Sequence, residues 1–211
     1  MYKLSKTSKM PGKSFSIPPS LCKMGSKLSL IEGSVCSKCY AKKGSYCYPA
    51  VKSLRQGNYD HYIENKDTFI DDLKTLIQAE YLNTGVPYFR WFDSGDLQSY
   101  AMLSDMVRIA YALPHIQFWL PTKELDLIKQ LVSNYDDMGL QLPANINIRV
   151  SVFMVDGNYL DFSSMNQSIQ QTRVISKDTP ELDSEYVCLG KCVECNYACW
   201  DDTKHVAYVK H

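Results

Sequence analysis

Near the C-terminus, Cys188, Cys192, Cys195 and Cys199 fall within twelve residues, in the order Cys188-Leu-Gly-Lys-Cys192-Val-Glu-Cys195-Asn-Tyr-Ala-Cys199. No other stretch constrains the fold as strongly, because gaps of three, two and three residues let one short loop turn four sulfurs inward at little closure entropy. Thiolate is the soft, anionic ligand that iron and zinc prefer, so the stretch predicts a metal-cluster site. Cys195 and Cys199, four apart, suggest a helical turn.

Zinc ribbons usually divide their ligands between two distant Cys-x2-Cys knuckles, which this stretch does not do. Its Cys-x2-Cys-x3-Cys portion resembles the end of the bacterial ferredoxin run, with Trp200 where a proline stands there. Iron–sulfur chemistry, with one or two [4Fe-4S] clusters, therefore leads zinc, which stays as the alternative. A second group lies near the N-terminus: Cys22, then Cys36 and Cys39 as a Cys-x2-Cys pair, with Cys47 further on. Cys36 and Cys39 are the stronger candidate ligands there and Cys22 joins them through a loop, whereas Cys47 reads as an ordinary free thiol. Eight cysteines in two dense clusters are poorly explained by disulfides in a reducing compartment, although a secreted disulfide framework is the competing explanation.

A chain of 211 residues can bury one good core, so a single domain over residues 1–211 is expected. Within it, residues 1–55 form a basic cysteine-containing segment, residues 60–156 a repeating body, and residues 186–211 the cysteine motif with a final strand. No apolar run approaches a membrane span and the N-terminus has no apolar signal core, which places the chain in the cytoplasm. The formal charge of zero is unevenly spread: residues 1–55 hold eleven lysines and arginines against Glu32 alone, while the rest holds twelve basic and twenty-two acidic residues. Such a segment suits nucleic acid, a small anionic substrate or an anionic cluster, or is simply a solvated arm.

The body alternates strand-like and helix-like stretches. Ser14–Pro19 reads as a short strand, and His61–Leu82 as one surface helix burying Phe69, Ile70, Leu73, Ile77 and Tyr81. Strands are expected at 86–92, 116–120 and 146–152, separated by helices whose apolar stripes use Leu103, Met106, Val107, Ala110 and Tyr111, then Leu125, Ile128, Leu131 and Val132. Centres about thirty residues apart are the length of a strand–helix unit. The fold class is therefore α/β, a parallel, partial (β/α) barrel-like sheet with cysteine-rich metal-binding segments at both ends. Residues 157–185 read as connecting loop with a short strand signal at 173–176, and 205–211 as a final strand that closes the sheet.

In such folds functional groups gather at the carboxyl ends of the strands. Asp93, Ser94, Asp96, Thr122, Lys123 and Ser151 sit at those ends; the first five are candidate cofactor-binding residues, with Asp96 and Lys123 the catalytic candidates. Helix capping is the plainer role for Ser94, Asp96 and Thr122. His205 or His211 is a candidate imidazole ligand, although an exposed terminal histidine is more often merely solvated. Asp93, Asp96 or a histidine is a candidate fourth ligand for the N-terminal group. No Ser-His-acid arrangement, metalloprotease histidine spacing, Walker loop or dinucleotide glycine loop is present.

The ordered series of an early cysteine, CSKCYAKKG, FRWFDSGDL, FWLPTKE, CVECNYACW and VAYVKH resembles the gene product 88 family of phage and plasmid proteins, from Ser14 to His211. The resemblance implies an α/β body and cysteine-bound metal at Cys22, Cys36, Cys39, Cys192, Cys195 and Cys199, joined by Cys188, with Cys47 peripheral. For a phage-encoded protein it implies the host cell cytoplasm. A more distant analogy is to radical S-adenosylmethionine enzymes, whose barrels carry a three-cysteine iron–sulfur site. Cys188-x3-Cys192-x2-Cys195 has their spacing but follows the repeating units instead of preceding them, and Ser94-Gly95-Asp96 is similar to their acidic glycine motif. Three functions are thus in competition. The first is an iron–sulfur protein with a redox or electron-transfer role and a redox partner. The second is a radical S-adenosylmethionine-like enzyme or its degenerate relative. The third is a zinc-stabilised nucleic-acid-binding or interaction module.

Overall fold

The computed structural model describes every residue except 166, 168, 189, 191, 193, 196, 202 and 211. Among the described residues, strands β1 (Ser5–Lys6), β2 (Lys13–Phe15), β3 (Tyr88–Trp91), β4 (Gln117–Thr122), β5 (Ile146–Ser151), β6 (Gln170–Ile175), β7 (Glu185–Cys188) and β8 (His205–Val209) form one sheet. Its order is β1-β2-β3-β4-β5-β6-β8-β7. Only the β1–β2 pair is antiparallel. From β2 to β6 each strand adds on the same side of its predecessor, so crossovers of one hand carry their helices to one face. Mixed α/β architecture with an open, mostly parallel, barrel-like sheet is therefore what the chain builds.

The helices are α1 (Lys23–Leu28), α2 (Pro49–Glu64), α3 (Phe69–Thr84), α4 (Tyr100–Ala112) and α5 (Leu125–Asp137). Phe89, Trp91, Phe118, Leu120, Ile148 and Val150 point to the helical face, where they pack with Leu73, Ile77, Met102, Leu103, Met106, Ile128 and Leu131 in one core. Full burial of each such side chain contributes roughly 1.5–3 kcal/mol before chain entropy is set against it. Ser99 caps α4 by accepting from Met102 N at 3.2 Å. At the helix's far end the buried Asn145 amide donates to the carbonyls of Ala110, Leu113 and Ile116.

Several expectations are corrected. The helix expected over His61–Leu82 is two: α2 ends at Asn65, whose φ of −134° and ψ of 49° leave the helical region, and α3 starts at Phe69 after a 3-10 turn. The stripe of Phe69, Leu73 and Ile77 is buried as expected. The final strand does not close the sheet. β8 inserts between β6 and β7, so the open edges are β1 and β7.

Two glycines hold the β2–β3 side together. A Cβ on Gly12 would lie 1.8 Å from Tyr88 O, so only glycine lets the β1–β2 turn lie on β3. Gly95, at φ +83°, presses on Ile17, whose Cγ1 would be 2.3 Å from an added Cβ.

Candidate metal centres around one cavity

The face of the sheet opposite the helices carries Tyr88 and Arg90 of β3, Trp119 of β4, Asn147 and Arg149 of β5, Val206 and Tyr208 of β8 and Cys188 of β7, as strand alternation and register require. Cys192 and the described residues from Tyr197 to Asp201 lie across this face. Cys199 and Trp200 pack there with Trp119 and Val206, and Cys188, Cys192, Tyr197 and Tyr208 lie against them. Arg149, fully buried, ties the segment down: its guanidinium donates to Cys199 O (3.1 Å), Ala198 O (2.8 Å), Lys204 O (2.9 Å) and Asp201 O. Trp200 Nε1 adds a bond to Phe89 O at 3.0 Å.

The helical turn expected at Cys195–Cys199 is instead a run of turns. Tyr197 adopts φ 60°, which no α-helix permits, and its ring stacks on Tyr88 with centroids 4.5 Å apart. The turns are closed by Tyr197 N to Cys192 O (3.0 Å) and Ala198 N to Cys195 O (3.2 Å).

The four thiols interact with one another. Burial, then Cys199, Cys195 and Cys188, push the Cys192 thiol up to about 12. Burial raises Cys199 to about 11, against the pull of Tyr208 at 3.2 Å and of Arg149. Cys188 is raised by burial and by Cys195.

The N-terminal group sits over the carboxyl ends of the strands. Cys22 follows a 3-10 turn at Pro19–Leu21, and Cys36 and Cys39 flank the end of another at Val35–Lys38. Four bonds clamp these segments to the loops after β3, β4 and β5. Lys23 Nζ donates to Gln98 O (2.7 Å), Gln98 Nε2 to Leu21 O (3.1 Å), Met24 N to Glu124 Oε1 (2.8 Å), and Val35 N to Phe153 O (2.9 Å). Gly25 opens the space between the sulfurs: a Cβ there would stand 3.6 Å from Cys36 Sγ and 3.8 Å from Cys22 Sγ. Burial, then Asp96, Cys39 and Cys36, push the Cys22 thiol up to about 12, opposed by Lys123. Burial also raises Cys36, with Lys123 pulling it back.

Of the strand-end candidates, Asp96, Thr122, Lys123 and Ser151 line one cavity of about 890 Å3. Asp96 is buried and accepts from Thr122 Oγ1 (2.6 Å), Leu97 N (2.8 Å) and Lys123 N (2.9 Å). Burial still dominates, and its carboxyl is pushed up to about 6. Asp93 and Ser94 turn elsewhere. Asp93 accepts from Ser16 Oγ and from Arg55 at 3.3 Å, and Ser94 Oγ donates to Ile17 O at 2.9 Å. The cap of α4 is Ser99 and not Ser94 or Asp96, while Thr122 Oγ1 does accept from Glu124 N ahead of α5.

His205 stands with Gln170, Gln171 and Tyr159, and no interaction joins it to a thiol. His211 lies outside the described residues. Cys47 is exposed, its thiol donating to Lys42 O at 3.2 Å. All eight cysteines are free. Among the described residues no three His, Cys, Asp or Glu side chains close to the spacing of a single-ion site.

Sequence reasoning passed over three further residues of the cavity wall, Arg90, Trp119 and Tyr208. The available signal was an arginine inside each of two apolar strands, Phe-Arg90-Trp and Ile-Arg149-Val. A guanidinium there needs a polar destination on the face away from the helices.

Fold and site together define an open-sheet α/β protein with two free-thiol groups, one over the strand ends and one across the non-helical face. The chain matches the family described as gene product 88 over residues 2–207, and it belongs to that family. No curated protein and no solved structure matches it. Among the described residues, no helix is long and apolar enough to cross a membrane.

Proposed function

We propose that this chain is an iron–sulfur protein with a redox or electron-transfer role. Cys188, Cys192, Cys195 and Cys199 would hold one [4Fe-4S] cluster and Cys22, Cys36 and Cys39 a second. The carrying observation is that seven of the eight cysteines, all free, are drawn into two groups whose thiols act on one another's ionisation. A single buried thiol packs as a small hydrophobe, but several thiols gathered in one place gain by ligation, which replaces their protons with a cation.

The donor sets fit the group. Each is all sulfur, and the C-terminal set faces Arg149 and Arg90, whose positive charge suits an anionic cluster. The N-terminal set has three thiols and no histidine. Asp93, committed to Arg55 and Ser16, and Asp96, committed to three donors, are both engaged. Bound clusters supply one-electron transfer. The protein's own residues hold them, exclude water at Cys195 and Cys199, and keep Lys123 beside Cys22 and Cys36.

Protein isolated without oxygen from iron-replete cells should be brown, absorb at roughly 400 nm and carry iron with equal inorganic sulfide. A colourless protein holding only zinc overturns the proposal and favours the zinc-stabilised module.

The three-thiol count and Asp96 at the same mouth favour a second reading, a radical S-adenosylmethionine-like enzyme or degenerate relative. On that reading the reduced protein releases 5′-deoxyadenosine from added S-adenosylmethionine, and on the first it does not.

A further inference from the structure

Among the described residues, no carboxylate forms an ion pair with Arg90. Its guanidinium lies 4.2 Å over the Trp119 ring. Its bonds are 3.3 Å to the Met10 thioether and 3.3 Å to Tyr40 Oη. A thioether is a weak acceptor, and 3.3 Å is long for a charged donor. Among the described residues Arg90 Nε has no partner, nor has Nε1 of Trp119, which is only 5% exposed. Buried donors of this kind cost free energy until an acceptor reaches them. Unpartnered donors also occur at Arg55 and Trp91, but those residues do not line the cavity; Arg90 and Trp119 do.

We propose that the cavity between the two cysteine groups binds a small organic carboxylate whose oxyanion is received by Arg90 and Trp119. The volume of about 890 Å3 is in the range of metabolite sites. Phe92, Pro121, Val152 and Val174 furnish apolar walls for the body of the ligand. Charge selects a monoanion. Arg90 is the cation at the Trp119 end, Arg173 is committed to Glu185, Asp96 opposes a second negative charge beside Lys123, and Lys38, Lys210 and Glu32 are exposed. The carboxylate displaces the Met10 sulfur from the guanidinium, exchanging a weak acceptor for a charged one. Lys123 and Asp96, at the cavity's other end, then face the remainder of the ligand beside Cys22 and Cys36. Arg90 also faces the C-terminal thiols, so its charge is shared with whatever centre they hold, while the cavity walls named above stand apart from the cysteines.

The test is calorimetric titration of the full chain, isolated without oxygen and assayed for iron and zinc in the same sample, with benzoate and with its uncharged isostere benzamide. Benzoate is expected to bind at least about tenfold more tightly than benzamide, and Arg90→Gln to erase that preference. Trp119→Phe, which keeps an aromatic ring but removes the indole N–H, weakens benzoate by about threefold, and Lys129→Gln on α5 changes nothing. Melting curves identify any variant that fails to fold, and either of the Arg90 and Trp119 variants suffices.

Absent benzoate binding, equal binding of the two probes, or benzoate affinity untouched in Arg90→Gln overturns the proposal. So does a result in which the variants alter only the visible spectrum of the metal centre, since the donors then serve that centre. Failure of the iron–sulfur proposal appears separately, as absent iron and sulfide in a protein that still binds benzoate.

Discussion

Cys188 ends β7, and Cys192, Cys195 and Cys199 follow in one loop that a single arginine binds by its carbonyls to the sheet. Cys22, Cys36 and Cys39 stand on two short segments clamped over the strand ends by several unrelated contacts. Cys195 and Cys199 are 6% and 5% exposed, while Cys22, Cys36 and Cys39 are only half-buried. The cations beside the C-terminal group are Arg149 and Arg90; the N-terminal group has Lys123 opposed by Asp96. One group has four sulfurs, two of them buried, and the other has three, all half-buried, and borders a cavity. The contrast fits a closed centre that is held and an open one that is approached.

The largest expected effect tests how the closed site is held. Arg149 bonds to four carbonyls of residues 198–204, so Arg149→Ala leaves those acceptors buried and opens a void. A loss of about 3–5 kcal/mol is expected in urea unfolding, the range for breaking a buried charged network. Bound metal should fall by half, with the N-terminal share kept. Equal loss at both groups would show that they are not independent.

Asp96 gives the next effect, through pH. The unfolded carboxyl ionises near 4 and the folded one near 6, so between these values the unfolded state releases its proton first. The folded carboxyl's contribution is fully present below pH 4 and is lost as pH rises through 6. The difference is at most about 3 kcal/mol. In urea unfolding at pH 4 and pH 6.5, wild type should lose stability that Asp96→Asn does not; parallel profiles would place the charge elsewhere. Ligation at Cys22 runs the other way: its raised thiol must lose a proton, so metal loading improves with rising pH.

A smaller effect separates clamp from ligand. Glu124 accepts from Met24 N at the start of α1, and Glu124→Ala should cost about 1 kcal/mol in urea unfolding. It should lower metal retention at the N-terminal group only, read as faster iron loss to a chelator.

How much of this was legible follows from what each residue has to bury. β3, β4, β5, α4 and α5 announced themselves because Phe118, Leu120, Ile148, Leu103 and Ile128 recur at the spacing of a strand or helix facing a core. α2 did not, because the residues it buries are Arg55, Asn58 and Tyr62. Asn58 holds Lys3 and Ser16, and Arg55 meets Asp93, partners 38 to 55 residues away that no local pattern encodes. The same limit applied at the site. The strand-end rule gathered Asp96, Thr122, Lys123 and Ser151, but it could not tell that Ser16 and Arg55 withdraw Asp93. Nor could it tell that β8 slips between β6 and β7, which brings Tyr208 against Cys199.

The smallest effect belongs to Cys47, the one thiol left out of both groups. Its Sγ is exposed and bonds to Lys42 O of the preceding 3-10 turn, and no shift in Cys22 or Cys36 involves it. Cys47→Ala should change stability by less than about 0.5 kcal/mol and leave metal content and visible spectrum as they were. Cys36→Ala, eleven residues earlier in the same basic segment, should lose the N-terminal centre. Two cysteines so close in sequence share charge environment and chain mobility, so a difference between them isolates position over the strand ends as the cause. Equal metal loss from both would mean that the open site draws its fourth sulfur from Cys47, and would remove the distinction between a closed centre and an open one.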